Sequence, residues 1–155
     1  MLSPGKTAPH FNLPDQTGLK QDSKALKGKR YLVYFYPKDS TPGCTTQACG
    51  LQSDLEQFND LGIAVFGVSM DSVASHKKFA DKYGLKFPLL ADTEKSLIEA
   101  YGIWVEKSMY GKKYMGIERS TFLIDEQGRI EQIWRNVSVP GHVEAVRSAL
   151  TANRI

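Results

Sequence analysis

The chain has 155 residues, 41% of them apolar and 24% charged, a balance that fits one globular domain with a real core and excludes a disordered chain. Twenty basic side chains against 17 acidic ones leave a formal charge of +3, and no basic run marks a nucleic-acid face. The longest apolar stretches, such as residues 31–36 and 63–68, are strand-sized, too short for a membrane span.

The N-terminal segment is punctuated by Pro4, Pro9 and Pro14 and is expected to run extended into a turn at residues 15–18. Its prolines and charges stand where a signal peptide needs an apolar core, so a cytoplasmic location is expected. KRYLVYFYP, rich in β-branched and aromatic residues, predicts a buried strand stopped by Pro37. Ala48, Leu51, Leu55 and Phe58 recur at helical spacing and predict a helix ending near Gly62. IAVFGVS is a second continuous apolar strand, suited to a sheet covered on both faces.

Residues 73–83 read as a helix stopped by Gly84, with Asp71 and Ser72 as its capping pair. FPLLAD predicts a short strand, and residues 94–101 a short helix closed by Gly102. Residues 103–118 read as irregular or hairpin-like. STFLID-EQG-RIEQIW is a strand, turn and strand, hence a β-hairpin. PGHVEAVRSALTAN is a closing helix with Pro140 suited to its first turn.

No repeat or linker divides the chain, so residues 1–155 are expected to form a single domain. Strands alternate with helices in the first half, and a hairpin follows in the second. The expected class is α/β: a thioredoxin-like fold with an N-terminal extension and a mixed central sheet flanked by helices. Residues 37–44 then lie at the carboxyl end of a strand, where sites in such sheets form.

That stretch holds the only two cysteines, Cys44 and Cys49. A structural disulfide is disfavoured in a reducing compartment, and so short a loop would constrain the unfolded chain little. Helix geometry sets the two Cα atoms roughly 8.7 Å apart, beyond the bridging limit of about 7 Å. A metal site needs two further ligands, and His10, His76 and His142 are scattered singly, so no metal is expected. The turn at Thr41, Pro42 and Gly43 puts Cys44 in the first turn of a helix, where unpaired N–H groups and the helix dipole favour an anion. A thiolate is such an anion, and this is a setting for reactive cysteines. Cys44 also continues the apolar stripe, so a small packing residue is the plain alternative. What remains otherwise is a nucleophilic thiolate, with a second thiol that reaches it only after a local unfolding.

YFYPKDSTPGCTTQAC resembles the peroxiredoxin motif Pro-x-x-x-Thr-x-x-Cys. It is most similar to that of the bacterioferritin comigratory protein, or peroxiredoxin Q, subfamily, with a second cysteine five positions later. GKTAPHFNLPDQTG, FGVSMDS, FPLLAD and ERSTFLID extend the likeness over nearly the whole chain. The resemblance implies a thiol peroxidase for hydrogen peroxide and organic hydroperoxides, with no metal or organic cofactor. Cys44 would be the peroxidatic cysteine, oxidised to a sulfenic acid. Thr41 would orient peroxide and thiolate, Pro37 would shield the sulfur from water, and Arg119 would stabilise the developing charge. Cys49 would resolve the sulfenic acid into an intramolecular Cys44–Cys49 disulfide, which thioredoxin or a similar dithiol reductant reopens. An intrachain resolver leans toward a monomer, with no nucleic-acid or membrane partner.

Plainer readings stand beside these roles. Thr41 could cap the helix, Pro37 could merely end the strand, Arg119 could be a solvated edge residue and Cys49 a spectator thiol. A peroxide sensor that relays oxidation to a partner by mixed disulfide is the alternative function, and a holdase is a third. His142 reads as a packing or surface residue. Trp104, Tyr110 and Tyr114 could rim the pocket or anchor the core and are not placed in the site.

Overall fold

The computed structural model describes residues 2–139 and 141–152. The N-terminal segment forms a small hairpin, β1 (Asn12–Pro14) and β2 (Lys20–Asp22), around the expected turn. Asp15 ties that turn by accepting from the Thr17 amide and hydroxyl, at 2.8 and 2.6 Å.

The main sheet begins with β3 (Arg30–Phe35), whose six residues are all buried. Side chains alternate across a strand, so Leu32 and Tyr34 enter one core layer while Tyr31, Val33 and Phe35 enter the other. Burying each such large apolar side chain contributes about 1.5–3 kcal/mol, which makes β3 the spine of the molecule. β4 (Ile63–Ser69) pairs with it in parallel, and β5 (Leu89–Ala91) pairs in parallel with β4. β8 (Ser120–Ile124) runs antiparallel to β3, and β9 (Ile130–Trp134) antiparallel to β8. The order is β5-β4-β3-β8-β9, a mixed sheet as expected.

Helices α1 (Pro42–Ser53), α2 (Leu55–Asp60), α3 (Val73–Tyr83) and α5 (His142–Ala152) contribute Ala48, Leu51, Phe58, Phe79, Val146 and Leu150 to the first layer. The other face is covered by Phe11 and by Leu97 and Ile98 of α4 (Ser96–Ala100). No helix among the described residues is long and apolar enough to cross a membrane.

Two boundaries differ from the sequence reading, and one open reading is decided. The helix expected to run to Gly62 breaks at Asp54 (φ −99°, ψ 3°), whose carboxylate accepts from Arg147 of α5 at 3.1 and 3.3 Å. The apolar stripe passes through the break, which is why spacing alone did not show it. α4 starts at Ser96 rather than Glu94 because Lys95 adopts a left-handed conformation (φ 64°). Residues 103–118 resolve into a hairpin of β6 (Trp104–Met109) and β7 (Lys112–Ile117), joined by Tyr110 and Gly111 with φ of 51° and 76°. Two positive φ values in sequence suit the tight turn that matches strand twist. The expectations for Pro140 and for the helix end at Asn153 lie outside the described residues.

Candidate active site

Parallel β3 and β4 end at the same edge of the sheet, and the chain leaves β3 through residues 36–41 to enter α1. Ser72 caps α3 at that edge, its hydroxyl accepting from the Ser75 amide at 3.1 Å. Asp71 does not cap; its carboxylate accepts from the Asp39 amide at 2.8 Å and the Ser69 hydroxyl at 2.6 Å.

Pro42 is the first residue of α1, so Cys44 lies in its first turn and is buried. Thr41 stands at the N-cap position (φ −78°, ψ 153°), yet its side chain bonds no helical N–H. Its hydroxyl donates instead to the Lys38 carbonyl at 3.0 Å, so side-chain capping is corrected. The amides of Gly43 and Cys44 find no acceptor among the described residues. They belong to the positive end of the helix, in the same turn as Cys44.

Antiparallel pairing sets Phe35 opposite Ser120, which brings Arg119 to the carboxyl end of β3. From there its Nη2 donates to Cys44 Sγ at 3.2 Å, and its Nη1 donates to Gln47 Oε1 at 2.5 Å. A guanidinium is a rigid, permanently charged fork, so these two bonds fix its plane against the sulfur. Arg119 is therefore not a solvated edge residue. Gln47 is buried one turn after Cys44 and was not singled out from sequence; its i+3 spacing from Cys44 was the available signal.

Arg119 also lines a cavity of about 490 Å³ together with Pro37, Val105, Lys107, Glu118 and Val137. Pro37 is thus at the cavity wall. Arg119 joins this space to the sulfur. Burial, then the nearby Arg119 charge, depresses the pKa of Lys107, against the opposite pull of Cys44 and Glu118. Tyr34 lies beneath the site, and burial followed by the Cys44 charge holds its phenol well above its ordinary pKa. Of the unplaced aromatic residues, Tyr110 is almost fully exposed at the hairpin tip and Tyr114 is exposed, while Trp104 packs against the second core layer.

Cys49 is exposed, and both cysteines are free thiols. α1 is continuous from Pro42 to Ser53, so regular helix geometry keeps their Cα atoms roughly 8.7 Å apart. His142 is buried and hydrogen-bonds with Thr121 Oγ1 at 2.9 Å, the packing role expected. Burial and then Arg119 lower its pKa.

A second polar cluster was not foreseen. Asp39, on the loop between Pro37 and Thr41, is buried and accepts from Tyr36 Oη at 2.5 Å and Ser75 Oγ at 2.9 Å. His76 Nδ1 lies 2.7 Å from Asp39 Oδ2, while Nε2 donates to the Leu90 carbonyl at 3.0 Å. Donor atoms of Asp39, Asp71 and His76 lie within 4.8 Å of one another, as in a metal site. Both Asp39 oxygens and both His76 nitrogens are already engaged with protein groups, which makes the cluster a hydrogen-bonded anchor for the loop.

A model of the AhpC/TSA family matches residues 4–133. Peroxiredoxin Bcp of Bacillus subtilis is 48% identical over 139 residues, covering 90% of this chain and 88% of that protein. A structure of Xanthomonas campestris bacterioferritin comigratory protein, from work on its alkyl peroxide reduction activity, superposes with a TM-score of 0.90. It is 41% identical and covers 97% of this chain and 99% of its own. A cysteine-to-serine mutant of Xylella fastidiosa PrxQ gives a TM-score of 0.95 at 38% identity, covering 100% of this chain and 99% of its own. The fold is the thioredoxin-like one of these neighbours.

Proposed function

The chain belongs to the AhpC/TSA family and is an enzyme that reduces peroxides, and from that premise we propose a two-cysteine cycle within one chain. Cys44 attacks the terminal oxygen of hydrogen peroxide or an organic hydroperoxide, the O–O bond breaks, and water or an alcohol leaves with a proton. Cys44 becomes a sulfenic acid. Cys49 then attacks that sulfur, water leaves, and a Cys44–Cys49 disulfide forms. Thioredoxin or a similar dithiol reductant reopens it by two exchange steps.

The observation that carries this reading is the 3.2 Å bond from Arg119 Nη2 to Cys44 Sγ at the open end of α1. A thiolate there is stabilised by a fixed cation and by unpaired amides, and the same cation meets the charge that develops as the O–O bond breaks. Pro37 lines the cavity beside Arg119, the position from which it would shield the sulfur, and Thr41 keeps its hydroxyl oxygen available to accept from the peroxide. Sulfur chemistry alone closes the redox balance, so no metal or organic cofactor enters. The cycle asks nothing of a second subunit, so a monomer of one domain, residues 1–155, suffices. A reducing cytoplasm supplies the reductant.

Intact mass after one equivalent of peroxide tests the cycle. Loss of two hydrogens supports the Cys44–Cys49 bond. Gain of one oxygen, stable in the absence of other thiols, would mean that Cys49 does not resolve.

A further inference from the structure

Arg119 shares its cavity with a second cation, which makes no direct ion pair with the two carboxylates that also line it, Glu106 and Glu118. Lys107 of β6 lines the same space as Pro37 and Arg119 and is half-buried. It makes no hydrogen bond or ion pair with any described residue. Of the two acids that line the cavity, Glu118 is taken by Arg135 at 2.9 and 3.1 Å and by the Ser120 hydroxyl at 3.1 Å, and Glu106, the preceding residue of β6, is exposed.

The hairpin explains where Lys107 points. Lys107 pairs with Tyr114, and Val105 pairs with Gly116. A Cβ built on Gly116 would stand 3.3 Å from Lys107 Cδ and 3.5 Å from Cε. The lysine stem therefore lies diagonally across Gly116, away from the exposed tip and toward the hairpin base that leads to Arg119. An ammonium with no direct partner, beside a guanidinium in a half-buried cavity, is placed to meet negative charge that develops there.

Resting on Cys44 as the attacking group, we propose that the Lys107 ammonium is the proton donor to the departing oxygen of the hydroperoxide. The terminal oxygen meets Cys44 Sγ, and the distal oxygen with its substituent extends into the cavity. The thiolate electron pair forms the S–O bond, the O–O pair passes to the distal oxygen, and the terminal oxygen keeps its hydrogen in the sulfenic acid. The distal oxygen takes a proton from Lys107 and leaves as alcohol or water, and solvent reprotonates the amine. Arg119 cannot do this, because a guanidinium does not give up its proton. The depressed pKa of Lys107, caused first by burial and then by Arg119, makes the transfer easier.

The test compares single-turnover oxidation of Cys44 in the wild type, Lys107→Met and Lys107→Arg. tert-Butyl hydroperoxide releases a strongly basic alkoxide that needs a proton, whereas perbenzoic acid releases a carboxylate that does not. Both variants should slow with the alkyl hydroperoxide by about a hundredfold and with the peroxy acid by less than about twofold. Equal losses on both substrates, full recovery in Lys107→Arg, or no loss at all would overturn the donor role. If neither peroxide oxidised Cys44 in the wild type, the Cys44 reading itself would fail, and the Lys107 role with it.

Discussion

Arg119 and Cys44 are 75 positions apart, yet Arg119 Nη2 donates to Cys44 Sγ at 3.2 Å. The contact follows from sheet topology, because β8 runs antiparallel to β3 and delivers the residue before its first position to the point where β3 releases the chain into α1. Gln47 holds the other arm of the guanidinium. The sulfur, the cation and the helix end form one rigid arrangement.

Replacing Arg119 should therefore act on chemistry more than on stability. Arg119→Met is expected to slow Cys44 oxidation by about 10²–10³-fold. Arg119→Lys should recover little, since an ammonium cannot hold Gln47 and the sulfur in one plane. Stopped-flow rates of peroxide-dependent oxidation check both, and a lysine variant as fast as the wild type would refute the planar clamp.

The two cysteines should separate cleanly. Cys44→Ser is expected to abolish peroxide turnover with any reductant. Cys49→Ser should still reduce one peroxide per chain but stop cycling with thioredoxin. Sustained thioredoxin-dependent turnover by Cys44→Ser would end the assignment of Cys44 as the attacker.

The Asp39–His76 anchor should show as coupled stability. Asp39→Ala leaves His76 Nδ1 buried without its 2.7 Å partner, and removing one side of a buried hydrogen bond costs about 1–3 kcal/mol. The double variant Asp39→Ala, His76→Leu should lose less than the sum of its single changes. Denaturant midpoints of the four proteins measure this. Strict additivity would mean that the two side chains do not act together.

His142 gives a pH dependence whose sign follows from its lowered pKa. Burial, then Arg119, keeps the folded value below the ordinary 6.5. The folded state then binds fewer protons than the unfolded chain, so stability is full above that value and declines as pH falls below it. His142→Gln should flatten the fall in Tm between about pH 7.5 and 5.5. An equally steep fall in the variant would place the acid sensitivity elsewhere.

Legibility in the sequence followed burial. β3, β4 and α3 carry continuous or periodic apolar patterns, and their predicted bounds match closely. The β6–β7 hairpin leaves Met109, Tyr110, Tyr114 and Met115 exposed, so neither face imposed the alternation that marks a strand. Cys44, Cys49, Thr41, Pro37 and Arg119 could be named from one motif and its companions. Lys107 and the Asp39–His76 pair could not, and Gln47 only through its i+3 spacing from Cys44, because strand pairing and helix packing between distant segments create their partners.

The unbroken α1 has a consequence for the energetics of the cycle. Under the proposed mechanism, the disulfide forms only when the first turns of α1 are undone, while the ion pair of Arg147 with Asp54 holds the far end of the helix. The free energy of those turns then belongs to the redox couple. Each 1.4 kcal/mol that stabilises them in the dithiol form raises the reduction potential by about 30 mV. Substitutions that strengthen or weaken the start of α1 would thus tune how strongly the oxidised enzyme demands electrons, without touching either sulfur.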